Sequence, residues 1–569
     1  MSRRFFLLVL SIALIATVVL APPPVAATAP CTLATFTALN LPDTTITLVQ
    51  SLPAGSNPSP VGTIALPICR VVGVISPAIN FEVWMPTTNW NGKYQGVGNG
   101  GLAGSISFSD MQTALSKNYA TASTDTGHSS NAPGDPWWTN AQQIKDYGYR
   151  SIHELALKAK AMVGAFYGLG PLHSYFNGCS TGGRQAFMEA QRYPEDYDGI
   201  LAGSPVYRVL QLRARHVWTW QCNHEDLTES HAIPVSKLPA IFSKVVATCD
   251  ALDGLVDGQV DDPRRCDFDP NSMLCPGADN ATCLTAPQVE TLQCMYNGPT
   301  PPFYPGVPMT SELDQGQSIG VVPNPQYTTF FANTVFQNLN YDFRTFNFNT
   351  DVTFTLDEVF GGETLDFIHT ADNPDLSAFK ARGGKMIIWH GWSDPLPNPV
   401  DTIRYYKDVL ALFGHPSTRE VDPSTNGRDQ ESKAEDFRRQ RSDDRQRDDD
   451  GQESKAEDFV RLFLLPNVGH CGGGAAGGPN TWDLITPLEQ WVEDGVAPKE
   501  IIASRVTSGV VTRTRPICAY PKVARYVGSG SIDDAANFVC ELKGLDRADQ
   551  KTDFDHGLQG RDNARRKQE

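Results

Sequence analysis

The sequence predicts an α/β protein built on a mainly parallel sheet. The main observation is a strand–helix–strand run: "LHSYFNG" (172–178) predicts a strand, "TGGRQAFMEAQRY" (181–193) a helix and "DGILAGSP" (198–205) a second strand. Strands that alternate with helices in this way run parallel and are joined by helical crossovers. Two later apolar runs, in "GGKMIIWHGWSDP" (383–395) and "FVRLFLLPNVGH" (459–470), predict further strands, each followed by a loop.

The first 27 residues predict a secretory signal. The chain starts Met-Ser-Arg-Arg, is apolar from Phe5 to Ala21, and then has small residues up to a Val-x-Ala site that ends at Ala27. A retained membrane anchor is the alternative, because the apolar run is long, but the small residues favour cleavage. We therefore expect a secreted, extracellular protein that is not held at a membrane after cleavage.

Cysteine content and charge restrict the class of protein further. Twelve cysteines, an even number, predict disulfides in an oxidising compartment. No Cys-x-x-Cys pair occurs, which argues against a zinc site. A net charge of −17 argues against nucleic acid as a partner.

Short apolar runs between residues 60 and 126 predict the first strands, because Gly, Pro and Asn separate them. They are "VGTIAL" (61–66), "RVVGVI" (70–75), "INFEVWMP" (79–86), "KYQGVGNGG" (93–101) and "YATASTDTG" (119–127). Apolar residues then recur at helical spacing within 140–168, which predicts a helix before the strand–helix–strand run.

The composition changes from about residue 206 to 380. This stretch contains six of the twelve cysteines and is rich in Asn, Pro and aromatic residues. We interpret it as an inserted domain braced by disulfides. Two other segments are highly charged and expected to be disordered: an insert at about 422–458, which includes most of a repeated "QESKAEDF" (430–437 and 452–459), and the tail at 544–569.

A nucleophile is predicted at Ser180. Gly178-Cys179-Ser180-Thr181-Gly182 follows a predicted strand and opens a predicted helix, which is the context of a nucleophile elbow. A serine hydroxyl needs a base and an orienting acid, and in sheets of this type the chain order is serine, acid, histidine. His470, late in the chain, is the preferred base; His390 is the rival, but it precedes Asp394, the best acid.

Backbone N–H groups that would stabilise an oxyanion are expected from two places. Thr181, directly after the serine, provides the first. The second is expected from the glycine-rich "GVGNGGLAG" (96–104), at Gly100 or Gly101.

Cys179 and Cys471 stand directly beside Ser180 and His470. If the serine and the histidine lie within hydrogen-bond distance, the two cysteines must be neighbours as well. A disulfide there would join the elbow to the histidine loop, so each cysteine supports the assignment of the residue next to it.

"FNGCSTGGRQ", "HGWSDPLPNP" and "GHCGGG" resemble motifs of the tannase and feruloyl esterase family, which includes the mono(2-hydroxyethyl) terephthalate hydrolase. The resemblance covers roughly residues 31–543. It implies an α/β-hydrolase fold with an inserted lid domain, and a triad of Ser180, Asp394 and His470. The distance in sequence from Asp394 to His470 is longer than usual in this family, and the charged insert accounts for the excess.

The resemblance gives domain limits and disulfides. The catalytic domain would comprise residues 28–205 and 381–543, with the lid at 206–380. Local spacing and the family pattern predict Cys31–Cys69, Cys249–Cys266, Cys275–Cys283 and Cys518–Cys540; they also suggest Cys222–Cys294 but leave that pair open.

Clustered carboxylates in "CDALDGLVDGQVDDPRRC" (249–266) are by themselves typical of a solvated turn, although oxygen ligands suit Ca²⁺. The resemblance implies a structural calcium ion here. Its ligands would be Asp250, Asp253 and Asp257, with the backbone carbonyls of Leu255 and Gln259.

The sequence therefore predicts an exported serine carboxylic ester hydrolase that acts through an acyl-enzyme on small or polysaccharide-linked aromatic esters. Hydroxycinnamates come first, gallates second and terephthalate monoesters third. A serine peptidase on the same fold and a catalytically dead binding protein are the alternatives from other classes.

Overall fold

The computed structural model describes residues 28–224, 230–317, 324–414, 455–472 and 477–542. The expected signal (1–27), the charged insert up to residue 454 and the charged tail lie outside the described residues. No helix in the described part of the chain is long and apolar enough to cross a membrane.

The described strands are numbered in chain order. They are β1 (Thr44–Leu52), β2 (Ile68–Ile75), β3 (Ile79–Pro86), β4 (Lys93–Val97), β5 (Ala120–Thr124), β6 (His173–Cys179), β7 (Gly199–Gly203), β8 (Val359–Phe360), β9 (Glu363–Thr364), β10 (Lys385–Gly391), β11 (Val460–Leu465), β12 (Glu500–Thr507), β13 (Val510–Cys518), β14 (Lys522–Tyr526) and β15 (Phe538–Leu542).

The described α-helices are numbered in the same way. They are α1 (Leu33–Thr37), α2 (Phe108–Ser116), α3 (Ala141–Lys145), α4 (Ser151–Tyr167), α5 (Thr181–Arg192), α6 (Val209–Asn223), α7 (Leu238–Cys249), α8 (Ala286–Asn297), α9 (Pro325–Phe330), α10 (Asp351–Asp357), α11 (Leu365–His369), α12 (Ser377–Ala381), α13 (Pro399–Phe413) and α14 (Ile485–Asp494).

One nine-stranded sheet organises the fold, in the order β1-β2-β3-β5-β4-β6-β7-β10-β11. β1, β2, β3 and β5 pair antiparallel, whereas β5, β4, β6, β7, β10 and β11 pair parallel. Every residue of β7 and β11 is buried. Such strands are covered on both faces: α4, α5 and α13 pack on one core cluster, and α2 and α14 on the other.

Helix α4 shows how the sequence specifies an element of this core. Ile152, Leu155, Ala159, Met162 and Val163 are all buried, at the spacing of one helical face. The helix ends at a glycine with positive φ, the usual C-terminal signal. The expected helix within 140–168 is therefore present, and it is preceded by the shorter α3 and an irregular turn.

One N-terminal expectation needs correction, and one strand was not expected. Residues 61–66 form a turn rather than a strand, because the N–H groups of Val61 and Gly62 both donate to Pro58 O and Gly62 has φ +84°. β1 was not predicted from the sequence. It is an edge strand in which all nine residues are partly or fully exposed, and its only alternation is the short one of Ile46 and Leu48 with threonines.

The segment between β7 and β10 adds no strand to the main sheet in the residues that the structure describes. It consists of helices α6 to α12 and the small β8–β9 hairpin. Its side chains pack into two core clusters, one of which is rich in aromatic residues and shared with Trp137, Trp138, Ile144 and Tyr147 of the sheet domain. The sequence predicted an inserted domain braced by disulfides over about residues 206–380, and the limits of that domain stay a prediction.

Disulfides join all twelve cysteines. The pairs are Cys31–Cys69, Cys179–Cys471, Cys222–Cys294, Cys249–Cys266, Cys275–Cys283 and Cys518–Cys540. Cys222–Cys294, which the sequence left open, is thus present, and three of the six pairs lie within the inserted segment.

The second copy of the repeated octet contributes to the core. We expected the charged insert to continue to about residue 458, but residues 455–459 are described, and Ala456 and Phe459 are buried directly before β11. The N–H of Met386 on β10 donates to Phe459 O at 2.7 Å. The first copy lies outside the described residues.

Candidate active site

Ser180 occupies the turn between β6 and α5, where it has φ 64° and ψ −120°. A non-glycine residue rarely adopts a positive φ, and such strain is typical of functional turns. The flanking glycines are required by close packing: a Cβ at Gly178 would lie 2.6 Å from Gly182 O, and one at Gly182 would lie 3.2 Å from Asn99 O. The local sequence therefore has the residues that this turn needs.

A hydrogen-bonded chain joins Ser180, His470 and Asp394. The distance from His470 Nε2 to Ser180 Oγ is 2.8 Å, and that from His470 Nδ1 to Asp394 Oδ2 is also 2.8 Å. The three residues follow β6, β11 and β10. Carboxyl ends of parallel strands lie at one edge of a sheet, so loops that are hundreds of residues apart in sequence meet there.

The partners determine which nitrogen of His470 carries the proton. An ionised carboxylate only accepts hydrogen bonds, so Nδ1–H donates to Asp394. Nε2 is then left with its lone pair directed at the hydroxyl of Ser180. This is the tautomer in which a histidine can accept the serine proton.

Asp394 is fully buried and held in its ionised form. Burial acts to raise its pKa, but the charge of His470 and the hydrogen bonds from His390 and His470 outweigh burial and lower the pKa below the usual aspartate range. The N–H of Leu396 also donates to Oδ1 at 2.9 Å. The carboxylate is therefore ready to stabilise a positive charge on His470.

His390, the rival base, lies beside the acid instead of the serine. Its Nδ1 is 2.8 Å from Thr402 Oγ1, and its Nε2 is 3.2 Å from Asp394 Oδ2 and 3.0 Å from Pro397 O. Since Nε2 faces two acceptors, it carries the proton. His390 thus orients Asp394. Its position four residues before the acid is compatible with this role but does not reveal it.

The disulfide Cys179–Cys471 lies directly beside this chain, as the adjacent positions predicted. Its Cα atoms are 5.8 Å apart, and it joins residues separated by 292 positions. Cys471 also has a positive φ of 57°. The bond therefore ties the serine turn covalently to the histidine loop.

Replacing both Cys179 and Cys471 by alanine is expected to lower kcat/KM by roughly 100-fold, the effect of displacing a catalytic group by about 1 Å. The loss should exceed what lower stability explains, because the bond positions the base. Ester hydrolysis and thermal unfolding of the same preparation measure both quantities.

The double replacement of Cys518 and Cys540 is the matched control. It removes the disulfide between β13 and β15, so stability should fall while the folded protein keeps its kcat/KM. If the two double variants lost activity only in proportion to stability, the positioning role would be wrong.

A cleft of about 380 Å³ opens onto Ser180 and His470. Its apolar wall is formed by Leu102, Val206, Val209, Leu212 and Leu396, and its polar lining by Gly101, Tyr147, Thr181, Arg213, Gln326 and Tyr327. The inserted segment contributes α6 and α9 to this lining. The sequence analysis did not identify the lining residues on α6 and α9, because nothing in their local pattern distinguishes them from other helix positions.

The two expected oxyanion residues lie next to each other in this cleft. Thr181 Oγ1 donates to Gly101 O at 2.5 Å, which holds the glycine-rich loop against the serine turn. Gly101 has φ +55°. As the first residue of α5, Thr181 has an N–H with no acceptor within the helix.

The acidic loop is folded on its own carboxylates. Asp250 accepts hydrogen bonds from the N–H groups of Asp257 and Gly258, and Asp253 accepts one from Leu255. The donor set, carboxylate and carbonyl oxygen, fits Ca²⁺ in its chemistry.

Asp257 has a second set of partners. Arg515 donates to its Oδ2, and Arg513 Nη1 lies 3.6 Å from the same oxygen. An ion bound in the loop would therefore share Asp257 with two guanidinium groups.

The family profile described as "Tannase and feruloyl esterase" matches residues 63–541. The chain belongs to this family. Members of the tannase and feruloyl esterase family are carboxylic ester hydrolases, and this chain is an enzyme of that type.

Two curated relatives and one solved structure illustrate the similarity. An uncharacterized esterase of Xanthomonas campestris is 37% identical over 90% of this chain and 92% of its own length. The mono(2-hydroxyethyl) terephthalate hydrolase of Piscinibacter sakaiensis is 31% identical over 85% and 86%. The crystal structure of feruloyl esterase B from Aspergillus oryzae has a TM-score of 0.74 and 26% identity, and covers 89% of this chain and 98% of its own.

Proposed function

We propose that this family member hydrolyses esters of phenolic and aromatic acids through an acyl-enzyme formed on Ser180. The observation that carries the proposal is the hydrogen-bonded chain from Ser180 through His470 to Asp394, beside a cleft with apolar walls. A flat aromatic acyl group suits such walls, because it loses apolar contact with water on binding.

The chemistry follows from the geometry. Ser180 Oγ attacks the ester carbonyl carbon while its proton passes to His470 Nε2, and Asp394 stabilises the imidazolium. The tetrahedral oxyanion would be met by N–H groups at Thr181 and Gly101. Its collapse breaks the bond to the alcohol, which takes the proton from His470. Water then attacks the acyl-enzyme by the same route in reverse, releases the acid and restores the serine.

The substrate order that we propose is hydroxycinnamates first, gallates second and terephthalate monoesters third. The resemblance to feruloyl esterase B supports the first, and the relative named as a mono(2-hydroxyethyl) terephthalate hydrolase supports the third. The proposal includes both small esters and esters linked to polysaccharides.

A panel of methyl ferulate, methyl gallate, chlorogenate and a terephthalate monoester tests this order. We expect the highest kcat/KM with methyl ferulate. Chromogenic anilides of the same acids distinguish a peptidase, which would turn them over at rates comparable to the esters. Labelling of Ser180 by an organophosphate distinguishes an intact site from a dead one. A labelled protein that hydrolyses anilides but no ester would contradict the proposal.

We also propose that the chain is exported with residues 1–27 as its signal. The support is that all twelve cysteines are paired, since disulfides persist in oxidising compartments. N-terminal sequencing of protein from the culture medium would test it, with a mature start after Ala27 as the expected result.

We propose a structural calcium ion in the acidic loop. The support is that the carboxylates of Asp250, Asp253 and Asp257 and the carbonyls of Leu255 and Gln259 are oxygen ligands of the kind that Ca²⁺ takes. An ion bound only by the folded state stabilises it by linkage. Removing calcium with a chelator is therefore expected to lower the melting temperature while the triad residues stay in place.

Asp253→Asn serves as the matched variant for this measurement. It should lower the melting temperature in calcium and remove most of the further decrease in chelator. An unchanged melting curve for the wild type in chelator would contradict the calcium site.

A further inference from the structure

Three side chains that can bind a metal ion lie together, away from the triad. His153 is on α4, Glu189 is on α5, and Asp196 is in the loop between α5 and β7. One ring nitrogen and one oxygen from each carboxyl group lie within 4.8 Å of one another. That loop enters β7 at its amino end, whereas Ser180 follows the carboxyl end of the parallel strand β6. The cluster therefore lies at the opposite edge of the sheet from the triad.

The carboxyl group of Glu189 is buried among groups that do not neutralise it. It is 1% exposed, and no described N–H or hydroxyl donates a hydrogen bond to either of its oxygens. Burial raises its pKa and so does the charge of Asp196, while Lys160 offsets part of this effect. Lys160 directs its own hydrogen bond to Asp196 O, at 2.7 Å. Ionised carboxylates only accept hydrogen bonds, so a shared proton or a bound cation must join Glu189 to Asp196.

Other buried carboxyl groups differ from Glu189 in this respect. Three of them also have one oxygen without a partner, but their second oxygen accepts a hydrogen bond. They are Asp146 with Arg150, Glu312 with Tyr296, and Asp401 with Arg208. Both oxygens of Glu189 lack such a donor. Burial of a carboxylate in this state is strongly unfavourable unless another group supplies the positive charge.

His153 favours a cation over a shared proton. Its Nδ1 lies 2.5 Å from Asp196 Oδ2, and its ring stacks on Tyr193 with the centroids 3.9 Å apart, which fixes the direction of the nitrogen. The His153 side chain is 27% exposed, so an ion can enter from solvent. A proton shared by two carboxyl groups needs no nitrogen beside it. Zinc, in contrast, takes histidine nitrogen and carboxylate oxygen together in one site.

We propose that His153, Glu189 and Asp196 bind one zinc ion, with water as the fourth ligand. The ion would take the place of the proton between His153 and Asp196 and give Glu189 the positive partner that it lacks. It would tie α5, the helix that begins at the serine turn, to α4 and to the loop before β7. Glu189 lies about 13 Å from Ser180 along the helix axis, so the ion would stabilise the fold without touching the ester.

Zinc binding to the full chain, first freed of metal by a chelator that is then removed, tests the proposal. Titration calorimetry should show one tightly bound zinc ion per chain, and zinc at 100-fold its Kd should raise the melting temperature by roughly 3 °C. Glu189→Gln keeps the shape of the side chain and removes its charge. It should weaken zinc binding by at least roughly 10-fold, the effect of losing even an outer partner of a ligand, and remove most of the thermal shift.

Two controls make the result specific. His153→Gln should lose the response to zinc, whereas His231→Gln, at a histidine 3.5 Å from Glu290 and outside the cluster, should keep it. Asp253→Asn in the acidic loop should keep the zinc response while it loses the calcium response, because Ca²⁺ takes oxygen ligands. A zinc response that is lost in Asp253→Asn and kept in His153→Gln would overturn the proposal.

A measurement on the wild type covers the case in which the variants do not fold. Anomalous scattering at the zinc edge from a zinc-soaked crystal should place the ion between His153, Glu189 and Asp196. Zinc found elsewhere alone, or no zinc bound by the metal-free wild type, would overturn the proposal and leave a shared proton as the link between the two carboxyl groups. Equal zinc affinity of wild type and Glu189→Gln would overturn it as well.

Discussion

Replacing Ser180 by alanine is expected to abolish ester hydrolysis and leave the fold intact. Removal of a triad nucleophile lowers kcat by at least about 10³-fold. The hydroxyl of Ser180 is hydrogen-bonded to His470. The substitution removes only this small polar group, so little packing is lost. Hydrolysis of methyl ferulate, with circular dichroism and thermal unfolding of the same sample, measures both effects.

Ser204→Ala is the matched control for this variant. Ser204 follows β7 as Ser180 follows β6, also has a positive φ, and its buried hydroxyl has no hydrogen-bond partner. Its removal should leave kcat close to that of the wild type. If Ser180→Ala retained more than a few per cent of the wild-type rate, Ser180 would not be the nucleophile.

Replacing Asp394 by asparagine should have the second largest effect, a decrease in kcat of about 10³- to 10⁴-fold. Asparagine keeps the shape but loses the charge that stabilises the imidazolium of His470. Its amide group can also turn its N–H₂ toward Nδ1 and impose the wrong tautomer. Asp342→Asn, which breaks an exposed pair with Arg344, is the control and should have no effect on kcat.

The same variant should change the pH dependence of stability. Because the pKa of Asp394 is lower in the folded state, its ionised form stabilises the fold at pH values above the ordinary aspartate range. That contribution is lost as the pH falls toward the lowered folded-state pKa. The difference in melting temperature between wild type and Asp394→Asn should therefore be larger at pH 7 than at pH 3. A difference that grew toward acid would contradict the ionised assignment.

Much of the fold could be predicted because its elements carry local patterns. β6, α5 and β7 have apolar runs, a glycine-bounded serine turn and helical spacing within a few dozen residues. β1 and the turn at 61–66 were missed for the opposite reason. The edge strand β1 has only a short alternation, of Ile46 and Leu48 with threonines, and no fully buried residue. The apolar run at 61–66 contains a left-handed glycine, so it does not extend.

The site could be predicted only in part from local sequence patterns. Ser180 has a context that a short stretch of sequence can show, and the cysteines beside Ser180 and His470 linked two distant loops. His390 and His470, however, both follow an apolar run and precede a loop. Only the tertiary structure placed one against the serine and the other behind Asp394.

By itself, the sequence determined the class of the protein: an α/β chain with a serine turn, a late histidine, an acid between them and an even set of cysteines. These features depend on neighbours along the chain. The tertiary structure alone decided the partner of Cys222, the role of His390 and the position of Arg213 in the cleft. Such contacts depend on which strands are adjacent in the sheet and on how the inserted helices pack over its edge, and no local pattern encodes those distances.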